Sequence, residues 1–340
     1  MPALIESTEL GKSLVAGMDK ATFSKSTKLG LKNAEENRPY FGKTIAELPA
    51  PEKPEGAAIV IVGGPSLHRR NLVPKILESG FKGDIICADG SMGFCLRKGL
   101  VPRYVVSVDG HPTRIVRWFG DTELEQRAED DYFLRQDYDP AHWSNERRSN
   151  QELIALVNAH GPKMKAILST SVHPCVARRC IESGMESYWW NPIYDDYDAP
   201  DSVTRRLFKS NGIPCLVTGG NVGTSAWIFA HAVLRRRRIA LVGMDLGYAP
   251  GTPYRNTQYY TELKELLGEE RLPEAYIKIH NPHLGETWLT DPTYFWYRQV
   301  FLKLAAQTDC ETFNCTGGGT LFSEHVPFVP LEQFLERFGS

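Results

Sequence analysis

The sequence lacks several common signatures, and each absence removes a class of function. Seven cysteines are scattered over 340 residues with no Cys-x-x-Cys pair. That spacing excludes zinc-ribbon and thioredoxin-type arrangements. It fits small buried thiols in a reducing compartment, with Cys87, Cys215 and Cys315 in or beside apolar runs. No apolar run reaches the roughly 20 residues that a membrane span needs. The opening residues carry acidic groups and lack a basic start followed by an apolar core, so they do not read as a signal peptide. The expectation is a soluble cytoplasmic protein with no membrane span. The net charge of −2 gives no global pull toward nucleic acid. No complete Gly-x-x-x-x-Gly-Lys-Ser/Thr P-loop and no Gly-x-Gly-x-x-Gly fingerprint is present.

Positively, 42% hydrophobic and 24% charged residues describe an ordinary globular chain, long enough for one large core or two modest ones. Its most informative stretch is residues 57–110. Ala57–Val62 runs into Gly63-Gly64-Pro65-Ser66, Asp84–Ala88 into Asp89-Gly90-Ser91, and Tyr104–Val108 into Asp109-Gly110. Apolar runs at this spacing are strand–helix–strand units of a parallel sheet. Ligands bind such sheets off the carboxyl ends of the strands, where all three polar loops fall.

The pattern continues downstream. Lys165–Ser169, Ser187–Pro192, Pro214–Val217, Arg238–Val242 and Thr312–Asn314 read as further strands, and Ala226–Leu234, Thr293–Ala306 and Pro330–Phe338 as helices. Asp121–Asn150 is highly charged and reads as helix and surface loop, and residues 249–290 as a loop or lid with short helices. The four arginines Arg235–Arg238 read as a solvated helix end, or as a phosphate or partner contact. The predicted fold is α/β, a mostly parallel Rossmann-like sheet with helices on both faces. Residues 1–48 are expected to form an N-terminal helical appendage, 49–55 a Pro-rich linker, and 56–340 a nucleotide-binding catalytic domain.

Several side chains at the strand ends carry chemistry. Glycines at Gly63, Gly64, Gly219 and Gly220 allow backbone to approach a phosphate or ribose, or simply make a tight turn. Ser66 caps the next helix or bonds a ligand. Asp89, Asp109 and Asp245 sit where a carboxylate bonds ribose, holds magnesium, acts as a base, or caps a turn. Asn221 offers both donor and acceptor for a base or ribose. Thr316-Gly317-Gly318-Gly319-Thr320 requires close approach to a ligand or another loop, or is a surface turn. His111 and His173 are candidate bases or phosphate-binding cations, or structural histidines.

The succession GGPSL (63–67), ADG (88–90), VSVDG (106–110) and GMDLGY (243–248) resembles the superfamily that holds archaeal 6-hydroxymethylpterin diphosphokinases and bacterial motility accessory factors. The latter are flagellin glycosyltransferases using nonulosonic acids, similar in turn to CMP-sialic-acid-dependent sialyltransferases. The resemblance spans residues 56–330. VTGGNVGTSA (217–226), FNCTGGG (313–319) and TDPTYFWYRQVF (290–301) are similar to the accessory-factor branch. The doubled aspartate and other acidic segments of the diphosphokinase branch are mostly missing.

The resemblance implies a glycosyltransferase with a CMP-linked nonulosonic acid donor, a protein or glycan acceptor, and no required metal. A diphosphokinase using ATP and magnesium is the alternative. Gly63–Ser66, Asp89, Gly90, Gly219–Asn221 and Thr224 would cradle the nucleotide, with Asn314, Thr316 and Gly317 closing the donor pocket. Asp109 and Asp245 would line the reacting centre. His173 or His111 would be the base, and Tyr248 or Tyr254 would support the phosphate. A homo-oligomer is compatible with the sequence.

Overall fold

A computed structural model of the chain describes residues 4–49, 56–111, 115–127 and 140–339. The described strands, numbered along the chain, are β1 (Leu4–Glu6), β2 (Ala57–Ile61), β3 (Asp84–Ala88), β4 (Tyr104–Ser107), β5 (Lys165–Ser169), β6 (Glu186–Pro192), β7 (Cys215–Leu216), β8 (Arg238–Val242), β9 (Ile277–Asn281), β10 (Glu286–Thr290) and β11 (Glu311–Asn314). They fall into two compact units. One comprises Met1–Phe23, Glu55–Gly83 and Arg236–Ser340, the other Ser24–Pro54 and Asp84–Arg235.

In the first unit, β2 and β11 flank β8 in parallel, with Ile61 opposite Val242 and Asn314 opposite Leu241. Every residue of β2 is buried. A strand apolar along its whole length is what a parallel sheet requires, because helices cover both of its faces. A second, three-stranded antiparallel sheet joins β1, β9 and β10. The sequence reading placed a loop or lid there. Its alternation is real: Ile277, Ile279 and Trp288 are buried while Lys278 and Thr287 are exposed. Gly285 closes the hairpin with a φ of +64°. Polar residues on the open face dilute the apolar signal below that of the parallel strands.

In the second unit, β3 to β7 form a parallel ladder in chain order. Ala88 lies opposite Val106, Ser107 opposite Leu168, Ser169 opposite Trp190 and Pro192 opposite Leu216. Trp189 and Trp190 in β6 are fully buried. Parallel strands alternating with helices make this a Rossmann-like α/β architecture, as expected. No described helix is long and apolar enough to cross a membrane.

The helix Glu9–Glu36 contributes residues to both units. In the first unit, Thr8 Oγ1 donates to the Glu274 carbonyl at 2.6 Å. In the second, the Phe41 and Trp189 rings meet edge-on at 5.0 Å, and the Trp189 N–H donates to the Lys43 carbonyl. The Pro-rich linker beyond residue 49 and residues 128–139 of the charged segment lie outside the described residues.

Ile59, fully buried at the centre of β2, tests this core. Ile59→Ala is expected to cost about 2–5 kcal/mol in urea denaturation. A loss under about 1 kcal/mol would show that the position is not tightly packed.

Candidate functional site

The residues singled out from sequence divide between the two units. Gly63, Gly64, Pro65, Ser66, Asp245, Tyr248, Asn314, Thr316 and Gly317 belong to the first, and Asp89, Gly90, Asp109, His111, His173, Gly219, Gly220, Asn221 and Thr224 to the second.

In the first unit the Gly-rich turns close around a carboxylate. Asp245 follows β8 and is buried. The Ser66 hydroxyl donates to its Oδ1 at 2.5 Å, and the Ser66 N–H to its Oδ2 at 3.0 Å. Burial pushes the Asp245 carboxyl up to about 6, against the lowering effect of both Ser66 hydrogen bonds.

The glycines are explained by the same contact. A Cβ on Gly64 would fall 2.3 Å from Asp245 Oδ2, one on Gly318 2.0 Å from Ser66 Oγ, and one on Gly319 2.5 Å from the Asp245 Cα. Gly319 also has a φ of +80°. So the GGPS and TGGGT turns both approach another loop this closely, an alternative that the sequence leaves open for the second turn. Their carbonyls are engaged as well. Arg70 Nε donates to Gly317 O, Asn281 Nδ2 to Gly319 O, and Arg298 Nε to Thr320 O.

Tyr248, Asn314 and Thr316 are likewise turned inward. The Tyr248 hydroxyl donates to Asp291 Oδ2 at 2.5 Å and accepts from the Gln258 N–H at 3.0 Å. Burial raises the Tyr248 phenol far above its ordinary value, with the Asp291 carboxylate adding to the effect. Asp291 caps the helix Pro292–Ala306 through the Thr293 and Tyr294 amides, and burial pushes its carboxyl up to about 6. The Asn314 amide donates to the Leu321 carbonyl, and its Oδ1 accepts the Thr316 N–H. The Thr316 hydroxyl meets the Met244 N–H and the Leu241 carbonyl. These groups organise loops; the expected roles of Tyr248 on a phosphate and of Asn314 and Thr316 on a donor are not those their hydrogen bonds serve here. Gly63 is the exposed part of its turn.

In the second unit the strand ends are more open. Asp89 opens the helix Asp89–Arg97, a favourable place for negative charge. It is buried, accepting the Ser107 hydroxyl and the Gly90 N–H at 2.7 Å each. Asp109, after the neighbouring β4, is exposed and holds its loop by accepting the His111 N–H at 2.9 Å. His173, after β5, caps the helix Pro174–Glu182. Its Nδ1 accepts the Cys175 N–H at 3.3 Å and lies 2.9 Å from Cys175 Sγ. An Nδ1 that accepts leaves the neutral ring's proton on Nε2. The ring in this tautomer donates from Nε2, whereas a base acting there would need the other tautomer.

Asn221 caps the helix Val222–Ile228. Its Oδ1 accepts the Thr224 N–H and its Nδ2 donates to Thr224 Oγ1, both at 2.9 Å. Gly219 and Gly220 have φ values of +63° and +85°, so this loop needs glycine for its own path.

Sequence reasoning missed Asn33, on the helix Glu9–Glu36, and Asn37, just past its end, both buried. Asn33 Nδ2 donates to the carbonyls of Gly110 and Ser171, and Asn37 Nδ2 to those of Thr170 and Val172. The available signal was two asparagines four residues apart, poor helix formers aligned on one face.

Among the described residues, no three His, Cys, Asp or Glu side chains gather in a way that would hold a metal ion. Of two clefts, one of ≈ 250 Å³ lies against Leu31, Ala34 and Leu207, and one of ≈ 330 Å³ lies against Ala249, Tyr254 and Leu289, beside Tyr248. Of the residues named from sequence, only Tyr254 lines either.

Among solved structures, the chain is similar to a MAf glycosyltransferase from Magnetospirillum magneticum AMB-1, with a TM-score of 0.52 and 16% identity over 89% of this chain. The match covers 38% of that protein's chain, so this chain spans well under half its length. At that identity the likeness is one of fold. No protein-family model and no curated protein matches the sequence.

The two buried carboxyls set a pH dependence. Asp245 and Asp291 hold protons more tightly folded than unfolded, where an Asp titrates near about 3.9. Between about pH 4 and 6 the folded state therefore binds more protons. The stability these groups contribute falls as pH rises through that window and levels off above it. The Tm advantage of the wild type over an Asp245→Asn/Asp291→Asn variant should widen on acidification from about pH 6.5 to 4.5. A gap independent of pH would show that neither group titrates there.

Proposed function

We propose that the chain is a glycosyltransferase that moves a nonulosonic-acid-type sugar from a CMP-linked donor to a hydroxyl of a protein or glycan. The fold shared with the MAf glycosyltransferase supports this reading, as does the order of the four loop motifs. The observation that carries it is chemical. Asp109, exposed and able to accept a proton, and His173, with its Nε2 proton, follow the adjacent strands β4 and β5.

Sugar transfer requires both abilities. The carbon–oxygen bond to the departing phosphate breaks and CMP leaves with the electron pair. The acceptor hydroxyl forms the new bond and gives up its proton. Positive charge develops on the sugar in between, as in an oxocarbenium ion. In this reading Asp109 takes the acceptor's proton and His173 donates to the phosphoryl oxygen as its charge grows. His111 lines the same loop. Asp89 and Gly90 at the helix start, with the Gly219–Asn221 turn and Thr224, flank the nucleotide. Asp245, with the Gly63–Ser66 turn and Gly317, sets loop shape. The reaction is read as needing no metal.

Two measurements test the proposal. CMP in the presence of a chelator should stabilise the protein, by about 2.7 kcal/mol at 100 times its Kd. Stabilisation by magnesium with ATP, and not by CMP, would replace it with the diphosphokinase reading. Asp109→Asn should lower transfer by about 10²–10⁴-fold, with Tm within a few degrees of wild type because Asp109 is exposed. Unchanged turnover would remove Asp109 from the reaction.

A further inference from the structure

Two side chains at the C-terminal end of the helix Glu9–Glu36, Asn33 within it and Asn37 just beyond it, enter the loops that carry the proposed chemistry. Asn33 Nδ2 lies 3.0 Å from the Gly110 carbonyl and 2.8 Å from that of Ser171. It thus ties the loop after β4 to the loop after β5. One turn on, Asn37 Nδ2 lies 3.1 Å from the Thr170 carbonyl and 2.6 Å from that of Val172. Gly110 stands between Asp109 and His111, and Val172 directly precedes His173.

Both amides are buried, at 1% and 0% exposure. Each faces a pair of carbonyls, so only the NH₂ end of the side chain can point there. The approach is close by construction. A Cβ on Gly30 would fall 2.0 Å from the Tyr194 hydroxyl, and one on Gly110 2.8 Å from both Asn33 Nδ2 and the Ser171 carbonyl. The Ser171 hydroxyl adds a third tie between the loops, donating to the Val108 carbonyl at 2.7 Å. Buried carbonyls at strand ends need donors, but any donor would satisfy them. Here one side chain serves two loops, and that fixes the separation of the loops as well as the shape of each.

We propose that Asn33 and Asn37 are positioning residues: Asn33 sets the Asp109 loop against the His173 loop, and Asn37 sets the His173 loop alone. The inference rests on the transferase reading given above. Neither side chain is proposed to touch substrate.

The division of labour is the test. Asn33→Ser and Asn37→Ser each remove both amide donors, and backbone hydrogen exchange is followed residue by residue in the full chain. Asn33→Ser should speed exchange at the amides of His111, Ser171 and Val172. Asn37→Ser should speed it at Ser171 and Val172 while His111 keeps its wild-type rate. With a CMP-linked donor, kcat should fall about 10–100-fold in each variant, with KM for the donor within about threefold of wild type. Exchange that rises throughout the chain, or a loss confined to KM, would overturn the inference in favour of a purely structural role. If either variant does not fold, Asn33→Gln and Asn37→Gln, which keep the donors on a longer arm, should fold, and each should show the same kcat loss and pattern of local exchange. Wild-type protein inert toward every CMP-linked donor would overturn the transferase reading, and the positioning role with it. Unchanged loop exchange in an active enzyme would overturn the positioning role alone.

Discussion

A parallel strand spends its hydrogen bonds on its neighbours and its side chains on two buried faces, so polar chemistry is driven to its ends. Most of what is distinctive in this chain follows from that constraint. The loops leaving β2, β3, β4, β5 and β8 carry buried or half-buried backbone that must be satisfied locally. The chain does so in two ways. Around β2 and β8 it draws loops tightly over one carboxyl, Asp245, and needs glycine wherever a side chain would collide with it. After β4 and β5 it leaves the Asp109 carboxylate exposed and the His173 imidazole half-buried, and reaches the carbonyls beneath with Asn33 and Asn37 from a distant segment.

These two solutions separate motifs that look equivalent in sequence. Gly-Gly-Pro-Ser and Thr-Gly-Gly-Gly-Thr both have the composition of ligand cradles, yet Gly64, Gly318 and Gly319 make room for protein. Asp245 and Asp109 both end strands before a Gly-containing loop. One is buried beneath a serine that gives it two hydrogen bonds; the other is exposed with its backbone neighbour as partner. Local composition specifies a sharp turn. It does not specify what fills the turn, because the filling residue comes from elsewhere: Ser66 and Asp245 are 179 positions apart.

The legibility of the fold follows the same line. β3, β5 and β8 were readable to the residue, since a short unbroken apolar run between turn signals has few other homes. β9 and β10 were missed because only one face of that hairpin is buried and its other face reads as loop. The helix Glu9–Glu36 was readable as a helix, but its attachments were not. Asn33 and Asn37 look like ordinary polar residues until the carbonyls they meet, 77 to 138 positions away, are known. The histidine at 173 was readable as a candidate; the tautomer imposed by its capping role was not.

The pairing of β1 with β9 has a consequence for how the molecule is made. Leu4 lies opposite His280, and Ile5 opposite Ile279. On a ribosome, β1 emerges long before its partner strand exists. The helix that follows it has its first residues in one unit and its later ones in the other, and the second unit's own strands are finished by residue 216. Domains tend to assemble as they are synthesised. Here the unit built mostly from residues 84–235 can complete itself first, while the unit containing β1 waits for β8 to β11. During that interval β1 has no strand to pair with, and the start of its helix has none of the later residues it packs against.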